Sequence, residues 1–170
     1  MSYSIASHAQ LMARYNQKIN QSLYAAAAGL SDAERKADQG LFFKSLHGTL
    51  NHLLVADRIW FSRFQPGYEA GVKRLDQELF ADFDALRQAR ESLDADILNW
   101  ANGLSAVSLP DRLQYVSLMD QSPRDLDYRA AIVHFFNHQT HHRGQATVVL
   151  SKLGVNYGVT DLPFMPGVVI

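Results

Sequence analysis

Four long stretches of the chain carry large apolar residues at intervals of three and four, the spacing of an amphipathic helix. They predict helices over residues 4–28, 41–64, 76–101 and 125–153. Between the first two stretches, Ser31 and Glu34 have the spacing of a capping box, which predicts a short helix ending near Ala37. Glycines mark two ends: Gly29 follows the first long helix and Gly154 follows the last.

The period changes between residues 103 and 122, where apolar and polar positions alternate after the Pro110-Asp111 turn. This alternation fits a short strand or hairpin about as well as an irregular loop. The tail after Gly154 contains glycine and proline and predicts extended chain that packs back on the helices. The sequence therefore predicts an all-α, single-domain protein over residues 1–170, a four-helix bundle with one longer crossover before the last helix.

Composition removes several classes of function. Sixteen Lys and Arg against 17 Asp and Glu give a net charge of −1, without the basic surplus that nucleic-acid binding requires. The chain has no cysteine, which excludes disulfides, cysteine-ligated zinc and a cysteine nucleophile, and leaves nitrogen and oxygen as the metal ligands. The opening residues MSYSIASHAQ lack the pattern of a signal peptide, and no apolar run approaches the roughly 20 residues of a membrane span. We expect a cytoplasmic protein that binds neither nucleic acid nor membrane.

Histidine is concentrated in one short segment, because four of the seven histidines lie between positions 134 and 142. At about 100° per residue, all four lie within one third of the circumference of a helix. Imidazoles three or four residues apart can bind one ion together. The spacing permits the pairs His134/His138, His138/His141 and His138/His142, and it does not choose among them.

A metal site needs at least a third ligand, because two histidines on one helix make an incomplete site. His47 and His52, on the second long helix, are the candidates, since facing helices of a bundle bring such residues together. His8 lies near the start of the chain. The competing interpretation is a set of hydrogen-bonded histidines, but burying several imidazoles without partners costs about 1–3 kcal/mol each.

Two segments resemble the signature regions of the DinB family of metalloenzymes, which is related to the YfiT-like proteins. They are NHLLVADRIW at residues 51–60 and HFFNHQTHHRGQ at residues 134–145. Tyr15 and Asn16 also resemble the N-terminal helix of that family, and the resemblance covers nearly the whole chain.

The resemblance implies a four-helix bundle that holds a divalent ion, nickel or zinc, on three histidines. Carried over to this sequence, the ligands are His52, His138 and His142. His134 and His141 then support the site or lie at the surface, and His47 packs or caps.

The resemblance also implies a function, because some relatives are thiol-dependent S-transferases or isomerases that use a low-molecular-weight thiol. Three histidines leave an open position for substrate, as catalytic sites do. Since the chain lacks cysteine, a thiol must come from a cosubstrate that attacks a small electrophile. The competing class is a non-catalytic bundle with a structural ion or a small-molecule site. Related bundles often pair, so we also expect a homodimer.

Two other metal chemistries fit poorly. Gln139 stands where metalloproteases of the HExxH type carry a catalytic glutamate, and no Glu-x-x-His pattern of a di-iron site accompanies these histidines.

Further residues have two interpretations each. Asp57 orients a ligand imidazole or pairs with Arg58, and Arg143 grips an anionic substrate or pairs with a carboxylate. Gly144, within a helix, lets another helix or a substrate come close. Three asparagines donate to a metal-bound water or cap helix contacts: Asn16, Asn51 and Asn137. Four phenylalanines predict core positions: Phe42, Phe43, Phe135 and Phe136.

Overall fold

The fold is mostly helical. The computed structural model describes residues 3–105, 107–165 and 168, and within them it contains five α-helices, one two-stranded sheet and one short 3₁₀ helix. The helices are α1 (Ile5–Ala28), α2 (Asp32–Lys36), α3 (Leu46–Phe64), α4 (Phe83–Gly103) and α5 (Tyr128–Lys152). The strands are β1 (Arg112–Val116) and β2 (Pro123–Asp127), and the 3₁₀ helix is Leu162–Phe164. The all-α prediction is right for the main part of the fold, and the sheet is an addition to it.

The four long helices pack side by side. Helix α1 contacts α4 and α5, and α3 contacts the same two helices. The shared core is built from leucine, isoleucine, alanine and aromatic side chains of all four. In the part of the chain that the structure describes, no helix combines the length and apolar content needed to cross a membrane.

Helix α3 begins later than its apolar pattern predicts. The side chain of Ser45 caps the helix by accepting from the backbone N–H of Gly48, so the helix starts at Leu46 and not at position 41. Before it, the N–H of Lys44 donates to the carbonyl oxygen of Leu41 and closes a turn, with Lys44 at φ 64°. The apolar side chains of this turn continue the helical period without being part of the helix.

Helix α4 also begins later, at Phe83 and not near position 76. Asp82 caps it by accepting from Ala85 N–H. In the preceding loop, residues 65–82, the N–H groups of Leu79 and Phe80 donate to the side chain of Asn51. These contacts on α3 replace the hydrogen bonds of a helical turn.

The alternating segment forms a hairpin. Strands β1 and β2 are antiparallel, with Leu113 opposite Leu126. Strand β2 continues to Asp127, whose side chain then caps α5 by accepting from Ala130 N–H, so α5 starts at Tyr128 and not at position 125. The strand alternative was therefore correct, and the second strand lies where the sequence predicted the first turn of the last helix.

Other predicted boundaries agree with the structure. Ser31 and Glu34 form the capping box of α2, and Gly154 follows α5 with φ 69°. The tail has no regular structure between α5 and the 3₁₀ helix. The rest of the predicted extended tail, apart from Met165 and Val168, lies outside the described residues.

Two predicted packing roles are wrong. Phe135 and Phe136 are buried, but Phe42 is 84% exposed because it lies in the turn before α3. A Cβ on Gly144 would meet no neighbouring atom, so no other helix approaches closely at this glycine. The glycine that does is Gly48, where a Cβ would overlap the carbonyl oxygen of Phe43.

Charged side chains are buried between α1, α3, α4 and α5. Arg90 pairs with Asp57 at 2.6 Å and with Asp94 at 2.8 Å, and all three are almost fully buried. The prediction that Asp57 pairs with its neighbour Arg58 is therefore wrong, because α3 directs Asp57 toward α4. Arg143 is equally buried and donates to the side chain of Asn16 on α1.

Candidate metal centre

Three histidines from two neighbouring helices form one group. His52 lies on α3, and His138 and His142 lie one turn apart on the facing side of α5. One ring nitrogen from each residue lies within 4.8 Å of those of the other two, and the Nε2 atoms of His138 and His142 are 3.1 Å apart. His52 and His142 are buried, and His138 is half-buried.

The Nδ1 atoms of His52 and His142 form hydrogen bonds to neighbouring residues. Nδ1 of His52 lies 3.0 Å from the carbonyl oxygen of Leu75, and Nδ1 of His142 lies 2.8 Å from Oε1 of Gln145. Because these oxygens only accept, each Nδ1 carries the proton and each Nε2 presents a lone pair. Such partners fix the tautomer and orientation of a metal-binding imidazole.

Burial keeps the three imidazoles neutral at pH 7. Desolvation lowers the pKa of His52 to about 4, against the opposing effect of its hydrogen bond to Leu75. Desolvation, reinforced by the charges of the neighbouring histidines, lowers the pKa of His138 to about 3. The pKa of His142 is also lowered by burial. Neutral imidazole is the form that binds metal, so the group needs to release little or no proton on binding.

The donor set fits a first-row divalent ion. Imidazole nitrogen suits zinc and nickel, and a tetrahedral ion with bonds of 2.0–2.1 Å separates its ligand atoms by about 3.3 Å. The 3.1 Å between the two Nε2 atoms on α5 is close to this separation. Nδ1 of His138 is buried without a hydrogen-bond partner among the described residues, so no contact at Nδ1 fixes the tautomer of this ring.

The remaining histidines of the segment lie outside the group. The ring of His134 lies 4.7 Å from that of Trp60. His141 is exposed, with its Nε2 at 3.4 Å from the amide of Gln145. Sequence spacing left the pairs of His138 with these residues open, and the structure brings together His138 and His142.

The two remaining histidines, His47 and His8, do not belong to the group. His47 donates from Nε2 to the carbonyl oxygen of Phe80 at 2.9 Å, which is a packing role. His8 lies in the first turn of α1, where its Nδ1 is 2.9 Å from the hydroxyl of Tyr3.

The polar residues considered for supporting roles have other partners. Asn51 is buried and hydrogen bonds to the loop 65–82 through its amide oxygen and nitrogen. Asn16 belongs to the buried charge network, where it contacts Asp94 and Arg143. Asn137 is exposed. These contacts favour the capping interpretation for Asn51. Arg143 donates to Asn16 and Thr140 and forms no direct ion pair with a carboxylate among the described residues, although Asn16 links it to Asp94.

Two cavities meet beside His52. One of about 510 Å³ includes His52 and His142 in its wall, and one of about 670 Å³ includes His47 and His52. Phe43 belongs to both walls, and its ring stacks on that of His52 with centroids 3.7 Å apart.

Three residues that support the group were missed by sequence reasoning. Phe43 was assigned to the core. The contact from Leu75 is a backbone carbonyl, which leaves no signal in the sequence. Gln145 follows His142 by three positions on one helix, a spacing that could have identified it.

The fold and the site define a mostly helical protein with a three-histidine group that could hold a metal ion. The sequence model of the DinB family matches residues 1–167, and the chain belongs to this family. No curated protein and no solved structure matches the chain.

Proposed function

We propose that the protein is a metal-dependent enzyme that holds one divalent ion, nickel or zinc, on His52, His138 and His142. The observation that carries the proposal is the convergence of three neutral imidazoles, from α3 and α5, at the wall of a cavity large enough for a small molecule. A bound ion of this kind acts as a Lewis acid, lowering the pKa of a thiol or water and polarising a carbonyl group.

The reaction we propose is thiol transfer to a small electrophile, or a thiol-dependent isomerisation. In the transfer, the sulfur of a low-molecular-weight thiol forms a bond to carbon, the bond from carbon to its leaving group breaks, and the thiol proton passes to solvent. The chain has no cysteine, so the thiol is a cosubstrate. Family membership supports this class, and the open position of a three-ligand site leaves room for it.

The chain's own contribution is to hold the imidazoles in place. Leu75 and Gln145 keep the protons of His52 and His142 on Nδ1, so that both Nε2 atoms remain free to bind. Phe43 covers one face of the His52 ring and excludes water from it. Together these contacts pre-organise the site before any ligand arrives.

We also propose that the chain is one domain over residues 1–170 and that α1, α3, α4 and α5 form a four-helix bundle of the DinB/YfiT-like type. The mutual contacts of these helices support this arrangement. A homodimer in the cytoplasm is the further expectation, and light scattering that gives a monomer would contradict the dimer.

Elemental analysis of protein purified without a histidine tag tests the metal. We expect about one ion per chain, and a stoichiometry far below one after reconstitution would overturn the proposal. Catalysis is tested with an aryl chloride electrophile and a series of added thiols. Conversion should be saturable in thiol, require metal, and be lost in His142→Ala while His141→Ala retains it.

The same measurements separate catalysis from a structural ion. Metal removal that abolishes conversion and leaves the melting temperature unchanged supports an enzyme. A large fall in melting temperature, with no conversion of any electrophile tested, supports the alternative of a non-catalytic bundle.

A further inference from the structure

The cavity of about 510 Å³ beside the three histidines has a mostly apolar wall. Its apolar side chains are Phe42, Phe43 and Leu75, and they adjoin the rings of His52 and His142. Asp76, His141 and Gln145 complete the wall, and we refer to this cavity as the apolar compartment. Its size and lining are typical of sites for small ligands with apolar groups.

Charge distinguishes this compartment from the larger cavity, which shares part of its wall. Among the described lining residues of the compartment, the charged side chain is Asp76, and it is already paired with Arg74 through two hydrogen bonds of 2.9 and 2.7 Å. The wall of the larger cavity carries both signs of charge, because it includes Lys36 and Lys44 together with Asp76 and Glu78. The apolar compartment has no lysine or arginine among its described lining residues, so it favours a neutral group.

The compartment is held in shape by hydrogen bonds from α3. Leu75 belongs to the loop 65–82, and its carbonyl oxygen accepts from His52 Nδ1. Farther along the loop, Asn51 accepts from the N–H groups of Leu79 and Phe80 at 2.9 and 3.1 Å. Because the loop is fastened at both points, a ligand meets a formed wall and loses less free energy in ordering it.

The exposure of Phe42 also favours an apolar ligand group. It is 84% exposed at the rim of the compartment, where a large aromatic side chain gains nothing from contact with water. An apolar ligand group in the compartment would cover part of this surface.

We propose that the substrate reaching the three histidines carries a neutral apolar group, of about the size of a six-membered ring, that binds in the apolar compartment. This inference rests on the proposed metal-dependent function and adds the class of its substrate. Leu75 and Phe42 contact this apolar group and select for it, whereas Phe43 also supports His52.

Two hydroxamates that share a chelating group provide the probes. Acetohydroxamate carries a methyl group, and cyclohexanecarbohydroxamate carries an apolar ring. Protein reconstituted with Co²⁺ is titrated with each, and binding is measured from the visible absorption of the cobalt. We expect the ring compound to bind at least 10-fold more tightly, because its ring leaves water for the compartment. A hydroxamate with a carboxylate in place of the ring should gain nothing.

Substitutions locate the preference. Leu75→Asp should reduce the ratio of the two dissociation constants to below 3-fold, and this ratio is the readout because the carbonyl oxygen of Leu75 also accepts from His52. Leu75→Ala, the milder change, should reduce the ratio in the same direction. Val107→Asp introduces the same charge at a 97% exposed position and should retain the full ratio.

The outcomes distinguish a failure of this inference from a failure of the proposed metal-dependent function. If Co²⁺ binds and the two hydroxamates bind equally, the compartment does not take the substrate group and the inference fails while the metal site stands. If the ring preference persists in Leu75→Asp, the group binds elsewhere and the inference fails. If Co²⁺ does not bind at one ion per chain, the metal site and the inference fail together.

Discussion

The ring of Phe43 lies nearly flat on the ring of His52, with centroids 3.7 Å apart and planes inclined by 15°. This contact depends on a glycine. Phe43 lies in the turn before α3, and a Cβ on Gly48 in the first turn of the helix would overlap the carbonyl oxygen of Phe43. The turn can approach the helix, and bring the phenyl ring onto His52, only because position 48 lacks a side chain.

Gly48→Ala should therefore destabilise the protein and weaken the metal site. Moving the Phe43 carbonyl costs about 1–3 kcal/mol, the range for overpacked positions, and a displaced Phe43 should lower metal affinity about 10-fold. Urea unfolding of the metal-free protein and a competitive metal titration measure the two effects.

Gly144→Ala is the matched control, because it lies within a helix and its new Cβ meets no neighbour. It should stabilise the protein by about 0.5–1 kcal/mol, the gain of alanine over glycine in a helix. Equal effects of the two substitutions would show that the turn does not constrain position 48.

The sequence predicted the helices well because their apolar side chains repeat with the helical period. It predicted the starts of α3 and α4 poorly, since the residues before them continue that period while their backbone bonds elsewhere. Phe42 illustrates the error: it fits the helical pattern but lies exposed in a turn.

In the candidate metal site, the three ligand residues could be predicted from the sequence, but the residues that hold them could not. Family resemblance selected His52, His138 and His142, and the structure brings these three together. Their partners were not predictable, because the carbonyl oxygen of Leu75 belongs to every residue type and its position depends on the loop. Likewise, the partner of Asp57 is Arg90 on another helix, a contact that only tertiary packing creates.

Arg90→Met should strongly destabilise the protein. The guanidinium of Arg90 neutralises Asp57 and Asp94, and its removal leaves two buried carboxyl groups without their cation. Loss of one partner of a buried pair costs about 3–5 kcal/mol. Arg87→Met is the control on the same helix, because Arg87 pairs with Glu91 at the exposed surface. It should cost about 0.5 kcal/mol or less. Similar unfolding free energies for the two variants would contradict a structural role for the buried network.

The stability of the metal-free protein should fall as pH decreases from 6.5 toward 4. In the unfolded chain histidine has a pKa near 6.5, whereas burial lowers the pKa of His52 to about 4 and of His138 to about 3. Between these values the unfolded chain binds protons that the folded protein does not, so acid favours unfolding. The stability that these groups contribute is present above pH 6.5 and is lost as pH falls toward their folded pKa values.

Urea unfolding with EDTA at several pH values measures this dependence. Asp57 contributes with the opposite sign, because burial raises its pKa to about 6. The difference between wild type and the double variant His52→Gln, His138→Gln isolates the histidines, and the variant should lose less stability on acidification. An identical pH dependence in both proteins would contradict the buried, neutral state of these rings.

The assignment of the ligands is tested by six single alanine substitutions and a competitive metal titration. Loss of a ligand nitrogen should lower affinity at least 10-fold, more than the loss of a supporting contact. We expect this loss of at least 10-fold for His52→Ala, His138→Ala and His142→Ala. His134→Ala should cause a smaller loss, because its ring lies 5.9 Å from that of His138 without belonging to the group. His141→Ala and His47→Ala should retain wild-type affinity.

The pair His141 and His142 gives the sharpest comparison, because the two residues are adjacent in sequence and differ in environment. His142 is buried with its Nε2 directed at His138, whereas His141 is exposed. A shift of one residue in the register of the site would exchange their roles. If His141→Ala loses the ion while His142→Ala keeps it, α5 presents a different face to the metal than the structure describes, and the triad of His52, His138 and His142 must be abandoned.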